Sequence, residues 1–360
     1  MGFDSFWGNA KAVRAVRDLL ARGHMPGSLL FTGPEGIGKK TLALMLAKAL
    51  NCERRGPDGD DFCGECSRCR KADEFLASGA EDLARRRGIK DAQKRVEGLI
   101  YFDLQLIEPL TRYILIEQIR QLRATAYNRP FSFPQRVLII DQAQSIHWQA
   151  ADLLLKVLEE PPETTTLILI CPNAYELRPT IRSRCFTLQF APVEEAVIER
   201  VLAEERGLAK NELALALRVA GGSIAVAKTF DLKEYLEQRK PWLNLLDTVA
   251  RPSGRSLAPE QWKTLFDATK LLAENRGSTD ESLKTGSTLL RDLMHVLLGQ
   301  ESSGLTNVDL LPRLGAWAPA LGLEGIQKLE AGIENSYRLQ NRNVNQQLAF
   351  DSLAADLLHS

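Results

Sequence analysis

The sequence lacks an excess of charge of either sign, because 46 lysine and arginine residues balance 46 aspartate and glutamate residues among 360. Without a global basic field, any contact with nucleic acid must come from a local patch or from a surface shared with other chains. No apolar run approaches the ~18 residues that a membrane-spanning helix needs. The first residues, Met-Gly-Phe-Asp-Ser, lack the basic and apolar blocks of a signal peptide. These absences predict a cytoplasmic protein without membrane contact.

Histidine and cysteine are both scarce, and only the cysteines form a pattern. The four histidines are scattered and show no spacing typical of metal ligands. Four of the six cysteines follow the spacing C-x10-C-x2-C-x2-C: Cys52, Cys63, Cys66 and Cys69. Four thiolates suit a closed, structural Zn²⁺ site in a reducing compartment better than disulfides. An Fe–S cluster also uses four thiolates. The isolated Cys171 and Cys185 are expected to be small core residues.

The chain changes character near residue 192. Before that point, short apolar runs alternate with helical patterns, which is typical of a parallel sheet with crossover helices. Buried strands are predicted at 28–32, 136–140 and 166–170. Beyond that point, apolar residues recur at helical spacing and no strand is predicted. The predicted parts are an α/β domain over 1–192, a small helical unit over 193–231 and an all-helical domain over 232–360.

A charged stretch interrupts the α/β part over about 70–98. It has little apolar content and contains the triplet Arg85, Arg86 and Arg87. Basic triplets of this kind are usually solvated. We therefore expect a partly helical surface insertion and assign it no function.

A phosphate-binding loop is predicted at 33–39, which read Gly-Pro-Glu-Gly-Ile-Gly-Lys between a predicted strand and a predicted helix. Gly33, Gly36 and Gly38 would let backbone N–H groups turn inward, the helix N-terminus favours an anion, and Lys39 can reach terminal phosphates. The alternative is an ordinary glycine-rich turn. The flanking elements favour the phosphate loop, with ATP or ADP as its ligand.

The metal-binding part of this loop departs from its usual pattern. The residue after the loop lysine should be Ser or Thr, whose hydroxyl ligates Mg²⁺, but here it is Lys40. Thr41 comes one residue late, about 100° further round the helix. Asp141 lies at the end of a predicted strand. It is either the carboxylate that coordinates the metal in proteins with such a phosphate loop, or a strand-end cap. We therefore expect phosphate binding with poor Mg²⁺ binding.

Several motifs are similar to those of one protein family. They include Leu-Leu-Lys-Val-Leu-Glu-Glu-Pro-Pro at 154–162, Thr-Ile-Arg-Ser-Arg-Cys at 180–185 and Asn-Val-Asn-Gln-Gln-Leu at 343–348. With the phosphate loop and the cysteine cluster, they make nearly the whole chain resemble the clamp-loader family of bacterial DNA polymerase III. The resemblance implies an AAA+ P-loop domain with a parallel sheet, a helical lid and a separate helical collar. It also argues for zinc rather than an Fe–S cluster.

The resemblance assigns roles to particular residues. It implies that Arg184 is an arginine finger, inserted into the ATP site of a neighbouring subunit, where its guanidinium offsets charge on the transferred phosphoryl group. The bland alternative is a surface arginine paired with a carboxylate. Gln142 stands where AAA+ ATPases have a glutamate base, and a carboxamide cannot accept a proton in that way. When the chain is aligned with the family on Gly222, Ala225 stands where the family's lid carries an arginine that belongs to the ATPase site.

These departures make the chain similar to the delta-prime branch of the family. The resemblance implies that such a subunit completes the ATP site of a neighbour and does not hydrolyse ATP itself. The partners implied are gamma/tau and delta subunits, with the sliding clamp and primed DNA reached through the assembly. One alternative is an active gamma/tau-type ATPase, which Lys40, Gln142 and Ala225 oppose. Another is a zinc-dependent nucleic-acid-binding protein with a vestigial loop, which the neutral charge balance disfavours.

Overall fold

The computed structural model of the protein describes residues 2–206, 210–250, 258–273, 276–300, 304–339 and 346–358, with backbone only at 210–211 and 276–280. The chain divides into two units: Met1–Val201 with Gly222–Ala225, and Leu202–Gly221 with Val226–Ser360. The first three residues of the motif at 343–348 lie outside the described residues.

The first unit is built on a parallel sheet of five strands. The strands are β1 (Ser28–Thr32), β2 (Leu104–Ile107), β3 (Arg136–Ile140), β4 (Thr165–Cys171) and β5 (Phe186–Gln189). Their order across the sheet is β2-β3-β4-β1-β5, and every pairing is parallel. The helices before β5 are α1 (Ala10–Ala21), α2 (Lys39–Asn51), α3 (Ser67–Arg87), α4 (Ala92–Val96), α5 (Ile116–Ala126), α6 (Trp148–Glu159) and α7 (Pro179–Arg182).

Helices cover both faces of this sheet, so β1, β3 and β4 are fully buried. Successive side chains of a strand point to opposite faces. Accordingly, Leu29 and Phe31 pack in the cluster that contains residues of α1, α2 and α3, whereas Leu30 packs in the cluster with residues of α5 and α6. A sheet buried on both sides needs continuous apolar runs rather than alternation. This is why the strands at 28–32, 136–140 and 166–170 could be recognised from sequence.

Beyond β5, the described residues form helices and the loops that join them, and no strand. These helices are α8 (Glu195–Glu205), α9 (Lys210–Ala220), α10 (Ile224–Thr229), α11 (Leu232–Val249), α12 (Pro259–Ala273), α13 (Arg276–Leu297), α14 (Leu311–Leu339) and α15 (Gln346–Leu358). In the second unit, Trp242 packs edge-on against Phe350 with ring centroids 6.0 Å apart, and its indole N–H donates to the Ser282 carbonyl at 2.8 Å. None of the described helices is long and apolar enough to cross a membrane.

The predicted fold class is confirmed: an AAA+-like α/β unit with a parallel sheet precedes an all-helical C-terminal region. Strand β2 was not predicted, because its four residues include a glutamine and form too short an apolar run. Strand β5 (Phe186–Gln189) ends three residues before the change of character at residue 192. The boundaries at 192 and 231 remain predictions.

A buried ion pair ties β3 to the segment before β2. The Arg136 guanidinium lies 2.7 Å from Asp103, and both side chains are about one-twentieth exposed (5% and 4%). The other oxygen of Asp103 accepts the backbone N–H groups of Phe131 and Phe133 at 2.7 and 3.2 Å. Both oxygens of Asp103 thus hold the chain that leads into β3.

We expect Asp103→Ala to destabilise the first unit by about 3–5 kcal/mol, because it leaves a buried guanidinium without its counter-charge. Asp152→Ala is the matched control. It breaks the exposed Asp152–Arg178 pair at 2.8 Å, and exposed pairs contribute about 0–1 kcal/mol. Urea unfolding, with hydrogen exchange of the β3 amides to locate the loss, measures both. Equal losses in the two variants would contradict this account.

Candidate functional site

The loop at 33–38 joins β1 to α2 through backbone that only glycine adopts readily. Gly33, Gly36 and Gly38 have φ angles of 143°, 72° and 98°. A Cβ at Gly33 would lie 2.3 Å from the Phe190 carbonyl oxygen, and one at Gly38 would lie 2.7 Å from the Phe6 ring. Positive φ and close packing both exclude side chains here. The glycine pattern thus has the physical cause that a phosphate loop requires.

Lys39 is buried at the start of α2 and points back onto the loop. Its ammonium donates to the carbonyl oxygens of Gly33 and Pro34. Burial lowers the pKa of Lys39 below its usual value, while the charges of Glu35 and Asp141 oppose that shift. The ammonium is therefore held by the loop itself, at the position from which the residue would meet a phosphate.

Lys40 lies at the place where a metal ion would be expected. Its ammonium forms an ion pair with Glu108 and lies 3.6 Å from Asp141 Oδ2. Glu108 is also 3.3 Å from the Arg87 guanidinium. Both carboxylates are mostly buried, with side chains 11% and 17% exposed. Burial raises the pKa of Asp141, and the Lys40 charge opposes that shift. The cluster contains two cations and two carboxylates.

These residues do not fit a magnesium ion. Mg²⁺ needs oxygen ligands in a close octahedron, whereas the two carboxylates here are paired with ammonium and guanidinium groups. Thr41, which the sequence offered as a replacement hydroxyl, is exposed on α2. The Lys40 ammonium thus takes the place that a metal ion would have beside these carboxylates. The sequence alone did not reveal this.

Gln142 follows Asp141 in an unusual backbone conformation. Its φ is 54°, in the left-handed region, and its backbone N–H donates to Asp141 Oδ1 at 2.9 Å. The side chain is exposed and ends in a carboxamide. A carboxamide has no basic oxygen for activating water.

The segment Gly222–Ala225 contacts the phosphate loop. The backbone N–H of Ala225 donates to the Gly36 carbonyl at 3.1 Å. A Cβ at Gly36 would lie 2.0 Å from the Ser223 hydroxyl oxygen, so the two segments touch. Ala225 therefore lies beside the loop, and its methyl group offers a phosphate no hydrogen-bond donor.

Arg184 lies on the surface after α7. Its guanidinium pairs with Glu159 at 2.7 Å and donates to the Thr180 carbonyl at 2.9 Å. Both partners come from the two motifs, at 154–162 and 180–185, that carried the family resemblance. Within the part of the chain that the structure describes, Arg184 makes no hydrogen bond or ion pair with the phosphate loop. In this chain the residue is an exposed arginine with a surface counter-ion.

The four clustered cysteines converge as predicted. Their sulfur atoms all lie within 4.8 Å of one another: Cys52, Cys63, Cys66 and Cys69. Backbone N–H groups of Cys63, Cys66 and Cys69 donate to the sulfurs of Cys52, Cys63 and Cys66 at 3.3–3.4 Å. Burial by itself would raise the pKa of the Cys66 thiol, but N–H donors and neighbouring thiols lower it to about 6. Burial raises the pKa of the Cys52 and Cys69 thiols instead. Four sulfur atoms this close together suit a soft divalent metal.

The expectation that the triplet at 85–87 is solvated was wrong for Arg86, whereas Arg85 and Arg87 are exposed. Arg86 is 5% exposed and donates to the carbonyls of Arg95, Glu97 and Gly98. Arg87 reaches Glu108 and the Pro109 carbonyl. The reason for the burial of Arg86 is tertiary: the end of α3 packs against the segment 95–98, whose carbonyl groups accept its hydrogen bonds.

Two polar residues at the sheet edge escaped the sequence reasoning. Glu108 directly follows β2, and Asn173 comes two residues after β4. A cavity of about 620 Å³ beside the loop is lined by Asn173 together with Gly33, Gln189 and Phe190. The available signal was position, because the carboxyl ends of parallel strands meet at one edge.

A glycine-rich loop between β1 and α2 of a parallel sheet, with an aspartate at the end of β3, is the arrangement of a P-loop domain. A family model described as "DNA polymerase III, delta subunit" matches residues 8–194, more than half of the chain. The chain therefore belongs to this family of bacterial clamp-loader subunits.

Individual relatives include two kinds of subunit. The chain is 25% identical to DNA polymerase III subunit delta' of Bacillus subtilis over 298 residues, covering 81% of this chain and 78% of that protein. It is 32% identical to the delta' subunit of Pseudomonas aeruginosa over 221 residues, 60% of this chain and 58% of that one. It is 26% identical to the gamma/tau subunit of Mycoplasma pneumoniae over 317 residues, 87% of this chain but 40% of that protein. Similarity alone does not separate the two kinds.

Proposed function

We propose that this chain is a delta-prime-type clamp-loader subunit that does not hydrolyse ATP itself and supplies Arg184 to the ATP site of a neighbouring gamma/tau subunit. The observation that carries the proposal is the Lys40 ammonium, which is paired with Glu108 and lies 3.6 Å from Asp141. A hydrolytic site needs a metal at these carboxylates. A subunit that keeps a cation of its own there is suited to a supporting role.

Three further groups support loss of hydrolysis in cis. Gln142 offers no carboxylate base, and Ala225 offers no guanidinium beside the loop. Thr41 is exposed on α2 and does not replace the missing hydroxyl ligand. Each change removes a different contribution to phosphoryl transfer: water activation, charge neutralisation or metal coordination.

Arg184 supports action in trans. Its guanidinium and its partner Glu159 are both exposed. If Arg184 left Glu159 for a phosphoryl group, the carboxylate of Glu159 would therefore remain in solvent and would not become a buried, unpaired charge. Surface ion pairs contribute little stability, and the fork of an arginine matches phosphate oxygens well. The proposed partners are gamma/tau and delta subunits in the cytoplasm, with the sliding clamp and primed DNA contacted through the assembly.

In this role the chain is a component of a DNA-directed DNA polymerase holoenzyme. The proposed parts are an ATPase-like domain over 1–192, a lid over 193–231 and a collar over 232–360 that joins the subunits. The cysteine cluster would hold a structural Zn²⁺, because four thiolates leave no open position for substrate.

The purified chain is expected to hydrolyse Mg-ATP no faster than its Lys39→Ala variant, because the metal position is taken by Lys40. Steady-state phosphate release measures both. Lys48→Ala is the matched control, since Lys48 lies on the same helix and pairs with Asp73 instead. Clear turnover that disappears in Lys39→Ala would identify an active gamma/tau-type ATPase.

In a loader reconstituted with gamma/tau and delta subunits, Arg184→Ala is expected to slow hydrolysis at the adjoining site about 10³-fold or more, the usual effect of an arginine finger. Arg184→Lys should fail as well, because an ammonium lacks the planar fork. Arg178→Ala, another surface arginine with an acidic partner, should leave the rate unchanged. Single-turnover hydrolysis measures all three, and full activity of Arg184→Ala would refute the finger.

The purified chain is expected to contain one zinc ion, measured by elemental mass spectrometry. Cys69→Ser should lose it, whereas Cys185→Ser should retain it because Cys185 lies outside the cluster. Metal retention should fall as the pH is lowered, since protonation competes with metal for each thiolate. Iron with acid-labile sulfide would show an Fe–S cluster instead.

A further inference from the structure

The carboxylates at the ends of β2 and β3 already have a cation of the chain's own. Lys40 is the second residue of α2, and its ammonium pairs with Glu108, which directly follows β2, and lies near Asp141, which directly follows β3. Arg87 approaches the remaining oxygen of Glu108 at 3.3 Å. The two positive and two negative charges cancel, so a divalent ion added here would have to displace Lys40.

Lys40 is also in a position to reach a phosphate. It directly follows Lys39 in the first turn of α2, where the helix dipole favours an anion. Its side chain is 41% exposed, and an ammonium on a flexible four-carbon stem has three donors that can be shared between a carboxylate and a phosphate oxygen. The same group can therefore screen the two carboxylates and neutralise charge on a bound ligand.

We propose that Lys40 replaces the divalent cation at this loop, so that the chain binds a nucleoside diphosphate or triphosphate as the metal-free anion. The role is one of specificity: Lys40 selects the free nucleotide over its magnesium complex. This inference goes beyond the proposed function and does not depend on it, because Arg184 can act on a neighbour whatever this loop binds.

The proposal has an unusual consequence for magnesium. In solution Mg²⁺ occupies the same phosphate oxygens that Lys40 would contact, and an ammonium repels a metal complex at short range. Added Mg²⁺ should therefore leave nucleotide binding unchanged or weaken it. In an ordinary phosphate loop Mg²⁺ bridges the protein and the nucleotide and strengthens binding.

The test is equilibrium binding of a fluorescent ADP (N-methylanthraniloyl-ADP) to the full chain, with Mg²⁺ and with EDTA. The wild type is expected to bind equally well or more tightly in EDTA. Lys40→Thr restores the hydroxyl of the usual motif. It should weaken binding in EDTA about tenfold, the usual effect of losing one charge-assisted hydrogen bond, and should make binding tighter with Mg²⁺.

Lys40→Met keeps the length of the side chain without its charge. It should lose binding in EDTA without gaining any response to Mg²⁺, which preserves the test if Lys40→Thr folds poorly. Lys48→Thr, on the same helix, is the matched control and should bind like the wild type. Thermal unfolding of each variant checks the fold.

Three results would overturn the inference. They are wild-type binding that Mg²⁺ tightens about tenfold, Lys40 variants that bind like the wild type in EDTA, and no binding by the wild type in either buffer. The last result would leave the trans-acting role of Arg184 intact, because the loader experiment tests that role separately.

Discussion

Burial of the parallel sheet on both faces is the constraint from which the rest of the first unit follows. Strands covered by helices on each side are mostly apolar, so polar side chains gather mainly at their ends. Because all five strands run in the same direction, their carboxyl ends meet at one edge. Gly33, Glu108 and Asp141 each directly follow a strand, and are brought together although far apart in the chain. The site is a consequence of strand direction.

The charges at that edge explain how a phosphate loop can be present in a subunit that, as we propose, does not hydrolyse ATP. The loop keeps its three glycines and its buried Lys39, which are the groups needed to hold an anion. The neighbouring carboxylates are neutralised by Lys40 and Arg87. Binding and hydrolysis make different demands on a loop, and the role that we propose requires only the first.

Helix α3 connects the cysteine cluster to the same edge. It begins after Cys66, whose sulfur accepts the Cys69 N–H as the helix cap, and it ends 21 residues later at Arg87. Arg86 and Arg87 then bind carbonyl groups and Glu108. A metal that fixes the start of this helix would therefore also restrict where its other end places Arg87. The stretch expected to be a surface insertion thus contains a helix that links the cysteine cluster to the sheet edge at Glu108.

The sequence by itself determined the fold class, three of the strands, the phosphate loop and the convergence of the cysteines. Those features rest on local patterns: apolar runs, glycines before a lysine, and paired C-x2-C steps. It also identified Lys40 and Gln142 as departures, because a motif defines which residue type each position needs. Only the tertiary structure decided what Lys40 does there. Its partners Glu108 and Asp141 lie tens of residues away in the chain, and contacts between distant elements depend on strand order, which no local pattern encodes.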